Sequence, residues 1–294
     1  MILVTGAGGK TGYAVVQALA ARGASIRALV RRHEQVTALH QRGATEAVIG
    51  DMRSPDDIQR ACAGADAVYH ICPNMQPDEV TIAAIALAAA RATDVGRFVY
   101  HSVLHPQTEE MPHHWHKLRV EEMLFKSGLD YTILQPAAYM QNVLASWSSI
   151  VNEGVYRAPY AVETRLGLVD LVDVAEAAAL VLTQKGHNGA TYELCGGAVL
   201  SQTQTAAILS ACLGRPVHVE PMDRREWARR AQKTGLSNYA VATLRQMFVY
   251  YEQYGFWGNP QVLTWLLGRP PTRFETFVRR TAGRHGSPST GEDA

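Results

Sequence analysis

Two groups of residues in this chain have the types and spacing to do chemistry. The first is Thr5-Gly6-Ala7-Gly8-Gly9-Lys10-Thr11-Gly12, between the apolar run Ile2-Leu3-Val4 and the amphipathic stretch Tyr13–Arg22. Glycines at 6, 9 and 12 let a chain reverse tightly, let backbone N–H groups approach phosphates, and let a helix pack closely on a strand. That pattern implies a dinucleotide, with Gly6, Gly8, Gly9, Lys10, Thr11 and Gly12 around its pyrophosphate. Gly9-Lys10-Thr11 imitates the end of a P-loop. That motif needs a glycine where Val4 stands, which sets triphosphate hydrolysis aside. The second group is His113-x-x-x-Lys117, an imidazole and an ammonium on one helix face, with Ser102 before it and Tyr139 after it. An imidazole of this kind can move a proton near neutral pH.

The cofactor's flavour is read at the end of the second strand. A NAD-binding unit places an acid there, about 20 residues after the glycine turn, to accept the ribose hydroxyls. This chain has Arg27-Ala28-Leu29-Val30-Arg31-Arg32 instead. No carboxylate repels a 2′-phosphate, and the guanidiniums of Arg31 and Arg32 can bind one bidentately, so NADP(H) is expected over NAD(H). The alternative is that both are solvated charges at a helix entry. By position alone, Asp51 and Met52 at the end of the third strand could receive the adenine. Cys72 and Pro73, at the end of the fourth, could flank the cofactor's middle.

Strand and helix patterns alternate regularly enough to position these residues. Strands are expected over 25–30, 44–49, 66–71, 97–102 and 131–135, with helices over 33–41, 54–62, 77–93 and 112–127. Ser54-Pro55-Asp56-Asp57 supplies an N-cap, a first-turn proline and first-turn acids. Such alternation predicts an α/β Rossmann fold, a doubly wound parallel sheet with ligands at the strands' carboxyl ends. After residue 150 the regularity fails, with short strands expected over 154–157 and 167–170, a last sheet strand over 191–194, and helices over 172–183 and 202–213. Residues 1–150 are expected to form the NADP(H)-binding domain, with 172–213 returning to the sheet. Residues 151–171 and 214–282 are expected to form a smaller, mainly helical substrate lobe, and 283–294 a disordered tail.

Bulk properties narrow the class. The 294 residues are 47% apolar and 19% charged, which suits a soluble globular protein. A formal net charge of +1 gives no case for nucleic acid or an anionic membrane as partner. The four cysteines (62, 72, 195, 212) are scattered, so free thiols in a reducing compartment are expected, and the cytoplasm is the expected location. No metal site is expected: His113-His114-Trp115-His116 does not put three imidazoles on one face.

Taken in order, Thr5-Gly6-x-x-Gly9-x-x-Gly12, Val30-Arg31, Gly50-Asp51, Ser102, His113–Lys117 and Ser127-Gly128-Leu129-Asp130-Tyr131-Thr132-Ile133-Leu134-Gln135-Pro136 resemble the NmrA-like family of atypical short-chain dehydrogenases/reductases. Tyr139-Met140-Gln141-Asn142 and Leu267-Gly268-Arg269-Pro270-Pro271-Thr272-Arg273-Phe274 extend the likeness over almost the whole chain. The resemblance implies a Rossmann domain with a small C-terminal lobe, usually binding NADP(H), and places Lys117 and Pro136 at the cofactor. Its members include quinone, triphenylmethane-dye and isoflavone-type reductases and also regulators without turnover. Ordinary short-chain reductases use a Tyr-x-x-x-Lys pair as acid and ribose holder. Here none of the twelve tyrosines lies four residues before a lysine, and His113 fills that slot.

The expected function is therefore an NADPH-dependent reductase passing hydride to a bulky conjugated acceptor such as a quinone or aromatic carbonyl. His113, Tyr139 or water would supply the proton, and Ser102 would hydrogen-bond substrate or nicotinamide. The substrate would lie against Tyr139–Val143, Trp147 and the aromatic residues of the lobe. The alternatives are a non-catalytic NADP(H)-sensing regulator and redox-neutral epimerase or lyase chemistry. Both a monomer and a homodimer are compatible with the sequence.

Overall fold

The computed structural model describes residues 1–286. β1 (Ile2–Val4) leads into α1 (Lys10–Ala21), β2 (Ile26–Val30) into α2 (Glu34–Gln41), and β3 (Glu46–Ile49) into α3 (Pro55–Cys62). β4 (Ala67–His70) leads into α4 (Glu79–Ala92), β5 (Arg97–His101) into α5 (Pro112–Phe125), and β6 (Tyr131–Pro136) closes the series. β7 (Ala138–Tyr139), a 3-10 helix over Met140–Ser146 and α6 (Trp147–Glu153) carry the chain away from the sheet. Then come β8 (Val155–Ala158), β9 (Leu166–Val169), α7 (Leu171–Thr183), β10 (Ala190–Leu194), β11 (Val199–Leu200) and α8 (Gln202–Leu213). β12 (His218–Pro221), α9 (Arg224–Lys233), α10 (Asn238–Tyr254), α11 (Gln261–Leu267) and α12 (Phe274–Gly286) complete the chain.

The central sheet has seven strands in the order β10-β6-β5-β4-β1-β2-β3, and every pairing is parallel. Successive side chains of a strand face opposite sides, and both sides of this sheet are covered, so its central strands carry apolar residues on both faces. Ile2, Val4, Ala28, Val99 and Leu134 enter one core with α1 and α7. Leu3, Leu29, Val68, Phe98 and Ile133 enter the other with α3, α4 and α5. Ser54 caps α3 as expected, accepting the Asp57 N–H at 3.3 Å with Pro55 at the first turn. The strand order reverses between β1 and β4, which opens a crevice at their carboxyl ends.

The C-terminal part holds more strand than expected. β11-β9-β7 form a three-stranded sheet and β12-β8 a two-stranded one. The strands expected over 154–157 and 167–170 are β8 and β9, whereas β7, β11 and β12, at two to four residues each, have too few positions for periodicity to register. β10 takes the seventh place in the large sheet, whereas α8, expected to return there, packs into a separate core. That core gathers Met140, Trp147, Ile150, Tyr156, Leu209, Phe274 and Phe277. Val143 and Trp147 are buried in it, so they support the lobe from inside rather than forming an exposed substrate wall. Two buried carboxylates tie the lobe to α7. Asp173 accepts the Thr272 N–H at 2.6 Å, the Thr272 hydroxyl at 2.9 Å and Arg269 at 2.9 Å; Asp170 accepts Gln141 at 2.7 Å and Arg280 at 2.6 Å. The last helix runs to Gly286, four residues into the stretch expected to be disordered, and the rest of that stretch lies outside the described residues. Among the described residues no helix is long and apolar enough to cross a membrane.

Candidate active site

The glycine turn sits at the reversal point and is shaped for an anion. Gly6 has φ +59°, and a Cβ there would stand 2.7 Å from the Ile71 carbonyl oxygen. A Cβ on Gly12 would come within 2.5 Å of the Ala7 Cα and even nearer the Gly6 carbonyl oxygen, so α1 reaches its strand only because Gly12 is bare. Gly9 is different: a Cβ would meet only the Gly6 oxygen at 3.5 Å, an ordinary contact, because its open side faces away from the fold. Gly9 is also the N-cap of α1, with no side-chain cap and no acid in the helix's first turn. The first N–H groups and the positive end of the helix dipole are thus left for an outside acceptor. A pyrophosphate fits this arrangement.

Arg31 projects from the end of β2, exposed and without an ion pair to any described residue. Arg32 is exposed too, with Nε 3.3 Å from Glu34. Gln35 was not singled out from the sequence, since nothing but its place after two arginines marks it. Its amide joins the two loops, accepting the Arg32 N–H at 3.3 Å and donating to the Gly8 carbonyl at 3.3 Å. Lys10 is exposed, donating to Asn142 at 3.1 Å and lying 5.5 Å from the centre of the Tyr139 ring.

The other cofactor candidates differ in exposure, the Asp51 side chain being open to solvent. Asp51 accepts the Arg53 N–H at 2.9 Å. Met52 and Cys72 are buried, and burial pushes the Cys72 thiol up. Pro73 is half-buried, and Pro136 ends β6 with its carbonyl accepting Leu104 N–H at 2.9 Å.

His113 and Lys117 do come together, but inside the protein. With Glu121 they form a buried stripe at spacing four on the inner face of α5. The Lys117 ammonium donates to Glu79 at 2.7 Å and to the His101 carbonyl at 3.0 Å. Glu79 is fully buried and also accepts the Tyr100 hydroxyl at 3.0 Å. His113 Nδ1 lies 3.6 Å from the second Glu79 oxygen. Burial, with the Lys117 charge adding to it, holds the His113 imidazole well below its ordinary pKa. Ser102 is placed apart from this pair. Its hydroxyl donates to Glu121, which also takes the Gln135 amide at 2.9 and 3.1 Å. Burial raises the Glu121 carboxyl.

Tyr139 stands where the glycine turn meets the end of β5. Its hydroxyl is 2.7 Å from His101 Nε2, and His101 Nδ1 is 2.7 Å from the Tyr69 hydroxyl. Burial, assisted by Lys117, lowers His101 to about 3, so this imidazole is neutral at neutral pH. Burial raises the Tyr139 pKa, and the Thr11 hydroxyl beside it tempers that rise. His101 went unnoticed in the sequence because its function depends on two tyrosines far away in the chain. The neighbouring histidines diverge: His114 bonds the His105 carbonyl, and His116 stacks on Tyr239 at 6.4 Å. Among the described residues no group of three metal-ligating side chains occurs.

Comparison with known proteins finds relatives along the whole chain. The chain is 28% identical over 292 residues to an NAD(P)H azoreductase of Xenophilus azovorans, covering 98% of this chain and 100% of that protein. It is 29% identical over 282 residues to quinone oxidoreductase 2 of Escherichia coli, covering 95% and 97%. Its fold superposes on the crystal structure of an Escherichia coli NADPH-dependent quinone oxidoreductase in complex with NADPH with a TM-score of 0.83, at 27% identity, covering 96% of this chain and 99% of that one. The model of the NmrA-like family matches residues 1–274. With that match spanning the glycine turn, the whole parallel sheet and the lobe as far as the start of its last helix, the chain belongs to the NmrA-like family.

Proposed function

We propose that this protein is an NADPH-dependent reductase of a conjugated, electrophilic small molecule such as a quinone. The observation that carries the reading is the juxtaposition of a bare phosphate-binding turn with a phenol held by a neutral imidazole. Lys10, in the first turn of α1, reaches over the Tyr139 ring. A pure binding module needs the turn alone; the phenol beside it adds a proton source. The names of the relatives support the same class, since both are NAD(P)H or quinone reductases.

When bound, the reduced nicotinamide supplies a hydride to the acceptor. The chain's own residues do the rest. The α1 N-terminus holds the pyrophosphate, and Arg31 and Arg32 hold the 2′-phosphate. Tyr139 donates the proton, in the place that Tyr-x-x-x-Lys enzymes give to a helix tyrosine. Lys117 acts from below, through the His101 carbonyl and Glu79, rather than on the acceptor. His113 and Ser102 belong to the same supporting layer.

The test is acceptor-dependent NADPH oxidation, followed by loss of cofactor absorbance with a panel of benzoquinones, naphthoquinones and azo compounds. Turnover well above the protein-free rate is expected. Tight NADPH binding with no acceptor-dependent oxidation across the panel would overturn the reductase reading in favour of a cofactor-sensing regulator.

A further inference from the structure

We propose that Tyr69 locks His101 in its Nε2–H tautomer, and that His101 thereby orients the Tyr139 hydroxyl as a proton donor toward the acceptor. The tautomer follows from counting hydrogens. Tyr69 is fully buried, and among the described residues its hydroxyl has one hydrogen-bond partner, His101 Nδ1. A buried hydroxyl hydrogen without an acceptor costs as much as a lost hydrogen bond. Tyr69 therefore donates, and a neutral imidazole that accepts at Nδ1 carries its hydrogen on Nε2. That hydrogen points at the Tyr139 oxygen, 2.7 Å away. The Tyr139 hydrogen is then not used on His101 and is shared between the neighbouring Thr11 hydroxyl and an acceptor in the crevice. In the opposite tautomer Tyr139 would donate inward, and the buried Tyr69 hydrogen would have no acceptor.

The same arrangement serves the anion left after proton transfer. The Nε2–H bond remains on the phenolate oxygen, and the Lys10 ammonium lies 5.5 Å from the ring centre. Lys117, bonded to the His101 carbonyl at 3.0 Å, fixes the backbone that carries the imidazole. His101 and Tyr69 are positioning residues, since neither touches the acceptor.

For the chemistry this extends the reductase reading, whereas the tautomer does not depend on it. A quinone takes a hydride, with its two electrons, and becomes a hydroquinone anion. One proton from Tyr139 makes the neutral hydroquinone, and water returns a proton to the phenolate. A cationic triarylmethane dye takes only the hydride and needs no proton.

Two measurements test the proposal. In protein labelled with 15N-histidine, His101 is expected as the neutral Nε2–H form across neutral pH, and Tyr69→Phe is expected to let the Nδ1–H form populate. An Nδ1–H form in the parent overturns the proposal whether or not the chain reduces anything. In turnover, His101→Leu is expected to lower the kcat for a quinone relative to that for a cationic triarylmethane dye by about 100-fold. His101→Gln, which keeps a donor near the Nε2 position, should recover part of that ratio. Equal losses on both acceptors would make His101 merely structural and overturn its role. A parent inactive with both acceptors overturns the reductase reading, and the tautomer then stands or falls on the spectrum.

Discussion

Arg31 and Arg32 differ in what they must give up to hold a phosphate. Among the described residues Arg31 has no ion pair to lose, and the Arg32–Glu34 pair is exposed on both sides, 65% and 66%. An exposed pair is worth about 0–1 kcal/mol, whereas a hydrogen bond to a charged group contributes about 1.5–3 kcal/mol. The phosphate therefore wins. Replacing both arginines by alanine is expected to weaken NADPH binding by about 30-fold or more, while NADH binding changes by less than about 3-fold. Calorimetric titration with each cofactor measures this, and an unchanged ratio of the two affinities would refute the phosphate clamp. The arginines were legible because their function is local. Glu79 was not, since only the packing of α4 against α5 brings it to Lys117, 38 positions farther along the chain.

At the scale of elements, the glycine turn and α1 act as one unit, and its glycines are not equivalent. The Gly12→Ala variant gains about 1 kcal/mol of helix propensity but forces a methyl into backbone atoms of the turn, and overpacking of this kind costs about 1–3 kcal/mol. We expect it to melt lower and to bind NADPH poorly. The Gly9→Ala variant meets nothing closer than 3.5 Å within the protein, so it should melt near the parent yet lose affinity, because its methyl faces the phosphate space. Melting curves with and without NADPH separate the two effects; a stable, cofactor-binding Gly12→Ala protein would contradict this geometry. The late Arg269-Pro270-Pro271-Thr272 run shows how an element's meaning changes with the fold. Sequence likeness marks it as a family feature, and the structure makes it a clasp on the buried Asp173.

Across the whole molecule, acid stability is governed by histidines sealed inside it. Burial lowers His70 and His101 to about 3 and His114 to about 4, with His113 also well below its ordinary value. The unfolded chain binds a proton at each near pH 6.5, so below that pH the unfolded state carries more protons than the folded one. Stability is then full above about pH 6.5 and falls as pH drops toward the folded values, by roughly 1.4 kcal/mol per histidine per pH unit. His70, His101 and His114 alone can exhaust the lower part of a typical 5–15 kcal/mol of stability near about pH 5, and His113 acts in the same direction. Urea unfolding midpoints measured from pH 8 down to about pH 5 should be flat and then fall steeply below about pH 6. A midpoint that stays constant to pH 5 would show that these imidazoles protonate without unfolding the chain.

The sequence by itself determined the parallel α/β sheet, the glycine turn and the arginines beside it, because strand periodicity, bare glycines and strand-end charges act over a few neighbouring residues. It also marked His113, Lys117, Ser102 and Tyr139 as chemically able. Which way those side chains face was decided only by the tertiary structure. The α5 stripe is drawn inward because an ammonium between two helices and a sheet needs the Glu79 carboxylate. Tyr139 joins His101 because β7 pairs with β9 and passes the end of β5. A hydrogen bond between residues far apart in the chain leaves no periodic trace, so its existence, and the proton it directs, had to come from the fold.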